Sequence, residues 1–289
     1  MTEQVDWEIS GAQGQPIFGT AYVPDEGATG FVIIAHGFKG YEDFRMIPPI
    51  ARELCKAGFV AHTFNFSHSG VTRNPDTFER PDLFERDTWN KQVFDIRSIV
   101  ESISTGQLAG EGLPYVLVGH SRGGVAAILF AGRHVGSSSL PRPAGMITAG
   151  SPDSACGLSE DHKAALRATG WLESPSARTG QTLRLGQQWL TEQESDHSGH
   201  DMLENVAKIQ CPILVVHGEN DETVDVESAT SIAEAATHAR VVRIEGANHV
   251  FNAPNPAPLV IDAIPELSQL TREITRFSVQ CCEDAAASR

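Results

Sequence analysis

Residues 119–123 read Gly-His-Ser-Arg-Gly, a serine with a glycine two positions to either side. The apolar run 115–118 precedes them and the apolar stretch 125–130 follows, so the serine stands between a buried strand and a helix. Strand, G-x-S-x-G, helix is the sequence form of a nucleophile elbow. A serine on so sharp a turn adopts strained backbone geometry, and the positions two residues away have no room for a bulky Cβ group. The turn lifts the Ser121 hydroxyl above the sheet edge. It also sets the Arg122 backbone N–H, at the start of the helix, where a developing oxyanion can be stabilised. The chemistry this allows is nucleophilic attack on an acyl carbon.

A serine hydroxyl is a weak nucleophile until a base takes its proton, and the base needs an acid to orient it. Such groups gather at the carboxyl ends of strands, in the chain order Ser, acid, His. Residues 211–217 read as a strand that ends in His217-Gly218-Glu219-Asn220-Asp221, and residues 240–244 as one followed by Glu245-Gly246-Ala247-Asn248-His249. Asp221 and His249 therefore stand as the acid and the base. Asp153, after the strand that follows the elbow, is an alternative acid, and Glu219, Glu222 and Asp225 crowd the same loop. Among eleven histidines, His217 reads as a structural loop residue, while His36 and His120 occupy turns that would line the pocket wall. His197 and His200 have a metal-compatible spacing but no third ligand at a recognisable offset, so no metal site is expected.

The elements that must position these groups follow from periodicity. Residues 5–10 and 15–23 predict a β-hairpin around the glycines of 11–14. Residues 31–35 form a buried strand ending at His36-Gly37-Phe38-Lys39-Gly40, where glycines leave backbone N–H groups free to face a ligand. A helix over 45–57 closes at Gly58, and a strand over 59–66 opens into the polar loop 67–70. Trp89, Val93, Ile96, Val100 and Ile103 recur at helical spacing and place a helix over 87–103. After the elbow come a strand within 143–150, the strand 211–217, a helix over 227–236, the strand 240–244 and a helix over 259–277. The long polar stretch 151–209 interrupts the alternation and reads as an insertion or lid. The pattern implies an α/β fold: a mostly parallel sheet with an N-terminal antiparallel hairpin and helices on both faces.

The 289 residues, 40% apolar, suffice for one large α/β domain. A net charge of −15 disfavours nucleic acid and anionic membrane surfaces as partners. No uninterrupted apolar stretch approaches the roughly 18 residues of a membrane span. The N-terminus lacks a basic region followed by an apolar run, so no signal peptide is expected. Cys55, Cys156, Cys211, Cys281 and Cys282 are odd in number and scattered, consistent with reduced thiols and a cytoplasmic location. Residues 278–289 read as a frayed polar tail.

Taken together, Gly119-His-Ser-Arg-Gly-Gly124, His36-Gly-Phe-Lys-Gly40, His217-Gly-Glu-Asn-Asp221 and Gly246-Ala-Asn-His249 resemble the α/β-hydrolase superfamily, in the family's order, over about residues 5–277. The turn at 36–40 and the modest insertion look most like the cinnamoyl/feruloyl esterase and dienelactone-hydrolase-like branch, which shades into oligopeptidase catalytic domains. The resemblance implies a single α/β-hydrolase domain over 1–277 with a lid at about 151–209. It implies Ser121 as nucleophile, His249 as base, Asp221 as orienting acid, and an oxyanion hole from the backbone N–H groups of Phe38 and Arg122. No cofactor is implied, and the substrate class is a small-molecule carboxylic ester. Amide or peptide cleavage, or acyl transfer, would use the same three residues, and a binding protein that kept the fold without activity is the alternative of another class. Many relatives carry an Asp and a glycine-rich turn where this chain has Asn65-Phe66-Ser67-His68-Ser69-Gly70. Dienelactone hydrolases proper use a cysteine nucleophile, and Ser121 argues against that activity. Phe38, Phe66, Trp171 and Trp189 are candidates for a pocket that takes an aromatic acyl group, although the two tryptophans could equally pack the insertion's own core.

Overall fold

A computed structural model of the chain describes residues 3–258 and 260–288. The N-terminal segments pair as antiparallel strands β1 (Glu3–Ser10) and β2 (Pro16–Val23). Next in order are β3 (Gly30–Ala35), α1 (Ile47–Lys56), β4 (Phe59–Asn65), the short α2 (Pro81–Glu85) and α3 (Trp89–Ser104). The elbow region forms β5 (Tyr115–His120) and α4 (Arg122–Arg133), followed by β6 (Gly145–Ala149). Within 151–209 lie α5 (Glu160–Thr169), strands β7 (Trp171–Pro175) and β8 (Thr182–Gly186), α6 (Gln187–Ser195), α7 (His197–His200) and α8 (Met202–Lys208). The chain then completes β9 (Ile213–Gly218), α9 (Glu227–Ala235), β10 (Ala239–Ile244) and α10 (Pro265–Ala287).

One sheet has the order β1-β2-β4-β3-β5-β6-β9-β10; β1, β2 and β4 pair antiparallel and the rest pair in parallel. The parallel strands β3, β4, β5, β6 and β9 are buried along their whole length, as continuous apolar runs covered on both faces should be. Strand β1 alternates toward its end instead, with Trp7 and Ile9 inward and Glu8 and Ser10 outward. On one face the helical stripe Trp89, Val93, Ile96, Val100 and Ile103 of α3 packs with α4, Met202 and Val206 of α8 and Ile232 of α9. On the other, Ile50 and Leu54 of α1 pack with Leu267, Leu270 and Ile274 of α10. This is the α/β-hydrolase architecture, and it brings the carboxyl ends of β3, β5, β6, β9 and β10 to one edge.

Two expectations are corrected. The C-terminal helix starts at Pro265 rather than near 259 (Leu259 itself lies outside the described residues), and it runs on through Ala287 where a frayed tail was expected. Its polar composition is one-sided. Gln280, Glu283 and Asp284 face solvent while Cys281 and Cys282 are buried, pressed so closely on the sheet that a Cβ at Gly145 would stand 2.6 Å from Cys281 Sγ and one at Gly30 2.9 Å from Cys282 Sγ. Small apolar thiols continue the core face where a hydropathy reading sees only polar residues. The insertion is likewise more ordered than its composition suggests. Leu166, Trp189, Leu190, Met202 and Val206 join the same core as α3 and α4. The β7–β8 pair stands apart as a two-stranded hairpin. It is anchored by Leu183, which packs with Tyr41, Val71, Phe78 and Phe84, and by Lys39 Nζ, which donates to the Pro175 carbonyl at 2.6 Å.

Candidate active site

Ser121 joins β5 to α4 with φ 53° and ψ −123°, a left-handed conformation that a serine rarely adopts and that costs about 1–3 kcal/mol. Its neighbours are glycines for a steric reason visible in the turn. A Cβ on Gly119 would stand 2.4 Å from the Gly123 carbonyl oxygen, and one on Gly123 would stand 2.3 Å from that of Ala35. The bend is pinned by the Ser121 N–H, which donates to Ala149 O at 2.9 Å. The hydroxyl thus sits above the sheet at the head of α4.

His249 Nε2 lies 3.0 Å from Ser121 Oγ, and His249 Nδ1 lies 2.8 Å from Asp221 Oδ2. A carboxylate only accepts, so Nδ1 carries the proton and Nε2 is left free to take one from the hydroxyl. The Asp221 side chain is fully buried. Burial alone would raise its pKa, but hydrogen bonds from His217, His249 and the Val224 N–H hold the carboxyl well below the usual range. The loop beyond β10 is braced by reciprocal asparagines: Asn248 Oδ1 accepts from the Val250 and Asn252 N–H groups, and Asn252 Oδ1 accepts from the Asn248 N–H. Asp153 does not reach the histidine; its Oδ1 accepts from Ser228 Oγ on α9 at 3.3 Å.

His120 and His36 serve the site from behind. His120 Nε2 donates to the His249 carbonyl oxygen at 2.9 Å, and burial, with His249 adding to it, pushes its pKa down to about 3. His36 is buried too, and burial lowers its pKa to about 4. It donates through Nδ1 to Gly37 O at 2.8 Å and accepts the Phe66 N–H at Nε2. Both rings are buried: His36 ties the end of β3 to the segment after its neighbour β4, and His120 ties the end of β5 to the loop beyond β10. Gly37 allows the turn 36–40 to press on the elbow, where a Cβ would meet Ser121 Cβ at 2.9 Å. Among the described residues, the Phe38 and Arg122 amides donate to no backbone or side-chain acceptor.

The aromatic candidates separate. Phe38 is exposed beside the elbow, with the Arg122 guanidinium 4.7 Å from its ring centroid. Trp189 is buried, 6.3 Å from Trp89, and the same guanidinium lies over both tryptophans at 5.4 and 4.4 Å. Burial lowers the Arg122 pKa to about 10, which leaves it charged at neutral pH. Phe66 is buried against His36 and Phe64. Trp171 lies on β7 under the Arg184 guanidinium at 4.1 Å. The structure thus brings together Ser121, His249, Asp221, Phe38, Arg122 and His120, and it packs Phe66 and Trp189 into the interior. His200, whose spacing from His197 was weighed above without a metal site being expected, stands 3.1 Å from Glu192 Oε1.

His217 is the residue whose position the sequence reading missed. Its Nε2 stands 3.3 Å from Asp221 Oδ2. The only signal was its place four residues before the acid, and in a loop that spacing carries no general meaning.

The family model described as "Alpha/beta hydrolase family" matches residues 32–263. No curated protein matches the chain by sequence. Among solved structures, Est1E from Butyrivibrio proteoclasticus with ferulic acid bound is similar at 20% identity and a TM-score of 0.71, over 94% of this chain and 97% of that one. Alpha/beta hydrolase domain-containing protein 10 from mouse is similar at 17% identity and a TM-score of 0.68, over 94% and 98% of the two chains. Dienelactone hydrolase from Anabaena variabilis is similar at 16% identity and a TM-score of 0.63, over 95% and 96%. At such identities these structures speak for the fold, and with a family model that matches most of the chain, from within β3 to beyond β10, the chain belongs to the α/β-hydrolase family.

Proposed function

We propose that the chain is a serine hydrolase that cleaves carboxylic esters through an acyl-enzyme intermediate. One observation carries this reading: an unbroken line of contacts from Ser121 Oγ through His249 to Asp221, at 3.0 and 2.8 Å. In the first half-reaction His249 Nε2 removes the Ser121 proton as Oγ attacks the ester carbonyl. The Phe38 and Arg122 N–H groups receive the resulting oxyanion, each worth about 3–4 kcal/mol by analogy with deleted oxyanion donors. His249, held by Asp221, returns its proton to the leaving alcohol. Water then attacks the acyl-enzyme by the same route and releases the acid.

The test is a burst assay with p-nitrophenyl acetate together with labelling by a fluorophosphonate probe. Ser121→Ala is expected to abolish both and to lower kcat on the order of 10⁶-fold. Labelling or a burst that survives in that variant would point to another nucleophile. A panel of esters that varies acyl length and aromaticity, with a hydroxycinnamate ester included because Est1E holds ferulic acid, reads the acyl preference. A matched anilide in the same panel reads whether the leaving group must be an alcohol.

A further inference from the structure

Asp221 faces two histidines. His217, at the end of β9, is fully buried, with Nε2 3.3 Å from Asp221 Oδ2 and 3.2 Å from the Val224 carbonyl oxygen. Both neighbours only accept, so Nε2 carries the ring proton. Nδ1, sealed and without a partner among the described residues, is the bare nitrogen. The Thr223 and Val224 N–H groups donate to Asp221 Oδ1 at 2.8 and 2.9 Å. The contacts close a ring: His217 to Val224 O, Val224 N–H to Oδ1, and Oδ2 back to His217. Both carboxylate oxygens are engaged, so the side chain cannot rotate without breaking one of these contacts.

We propose that His217 is a positioning residue for the hydrolysis assigned to Ser121, an inference that rests on that reading. It closes the 218–224 turn and fixes the Asp221 carboxylate in the plane that meets His249. It also divides the charge of Oδ2 between two N–H groups. With His217 removed, the turn loses a tie and the acid loses its fixed plane, which lowers the rate at saturation. His217 is sealed behind Asp221, so substrate affinity has no reason to change. The other titratable groups at this cluster are His120 on β5, its ring centroid 4.9 Å from that of His249, and His36 behind it at the end of β3. Glu219, Glu222 and Asp225 on the same loop are exposed, and the residue after β6 that lies against Asp221 and His249 is the uncharged Gly150.

The test is steady-state hydrolysis of p-nitrophenyl acetate by the full chain and its His217→Leu and His217→Gln variants, with kcat and KM determined separately. Leucine removes the donor; the glutamine amide returns an N–H near the place of Nε2. His217→Leu is expected to lower kcat about 10-fold or more, with KM within about twofold, as the loss of a hydrogen bond to a charged group should. His217→Gln should stay within about threefold of the unaltered chain in kcat, with KM likewise unchanged. If the leucine variant does not fold, His217→Asn, whose amide is too short to reach, replaces it with the same expectation. An unchanged kcat in the leucine or asparagine variant overturns the proposal, as does a glutamine variant impaired as badly as they are. Ser121→Ala run in parallel separates the two readings. If it stays active, the hydrolase reading has failed; if it is dead while His217→Leu is unaffected, only the role of His217 has.

Discussion

Ser121, His249 and Asp221 owe their meeting to atoms that are missing from their neighbours. Gly150, with φ 57°, lies against the acid–base pair, where an added Cβ would stand 3.3 Å from Asp221 Oδ2 and 3.4 Å from His249 Nδ1. Gly150→Ala is therefore expected to lower kcat about 10-fold through misalignment, with about 1 kcal/mol of backbone strain measurable as a lower urea midpoint. A kcat that does not change would mean the pair tolerates displacement. Asp221→Asn should be far more severe, about 10⁴-fold in kcat, because an amide N–H facing His249 Nδ1 imposes the wrong tautomer. A variant that kept more than a tenth of its kcat would remove Asp221 from the mechanism. At this scale the serine, the base and the acid were readable because motif and chain order constrain them. His36 and His120 were not. Both looked like pocket wall, and both prove to be buried braces, since a histidine's environment is set by strands distant in sequence.

At the scale of elements, α10 is the clearest departure from the sequence reading. Helical periodicity continues past Phe277 through Cys281 and Cys282, but the apolar face there consists of thiols and Ser278 rather than large aliphatics. Burial pushes the two thiols up to about 12 and 11, so they remain protonated and chemically quiet. Deletion of residues 278–289 should lower Tm by at least about 4 °C, since three buried side chains and about three turns of helix are worth about 2 kcal/mol or more. An unchanged melting curve would restore the frayed-tail reading. The insertion teaches the same lesson. Its helices were hard to see because each is short and mostly polar, and the few apolar residues they bury, such as Leu166 and Val206, find partners only on α3 and α4. The β7–β8 hairpin depends on partners further away still, through Lys39 to Pro175 and through Gln181, whose side chain bonds both backbone groups of Phe78.

For the whole molecule, buried acids add a pH dependence to stability. Glu42 is buried just after the turn 36–40, accepts from Thr20 Oγ1 at 3.0 Å and Asn65 Nδ2 at 3.3 Å, and has its pKa raised to about 7, first by burial and then by Asp43. A carboxyl whose folded pKa lies above its unfolded value stabilises the fold below the unfolded value and loses that stabilisation as pH rises through the folded one. The contribution of this group should therefore decline between about pH 4.5 and 7, by up to about 1.4 kcal/mol per pH unit, against the opposite slope of His36, His62 and His120, whose pKa values burial lowers. Glu42→Gln, which mimics the protonated form, should remove this contribution, so that the variant gains stability relative to the unaltered chain as pH rises from 5 to 8; urea midpoints measure the difference, and a difference that does not change with pH would assign the effect elsewhere. By itself the sequence determined the alternation of strands and helices, the elbow, and the order in which nucleophile, acid and base appear, because these depend on local sterics and on periodicity along the chain. Only the tertiary structure decided which histidines face the acid, which aromatics are core and whether the C-terminal helix stays docked. Those outcomes depend on contacts between residues tens to hundreds of positions apart, and no local pattern encodes them.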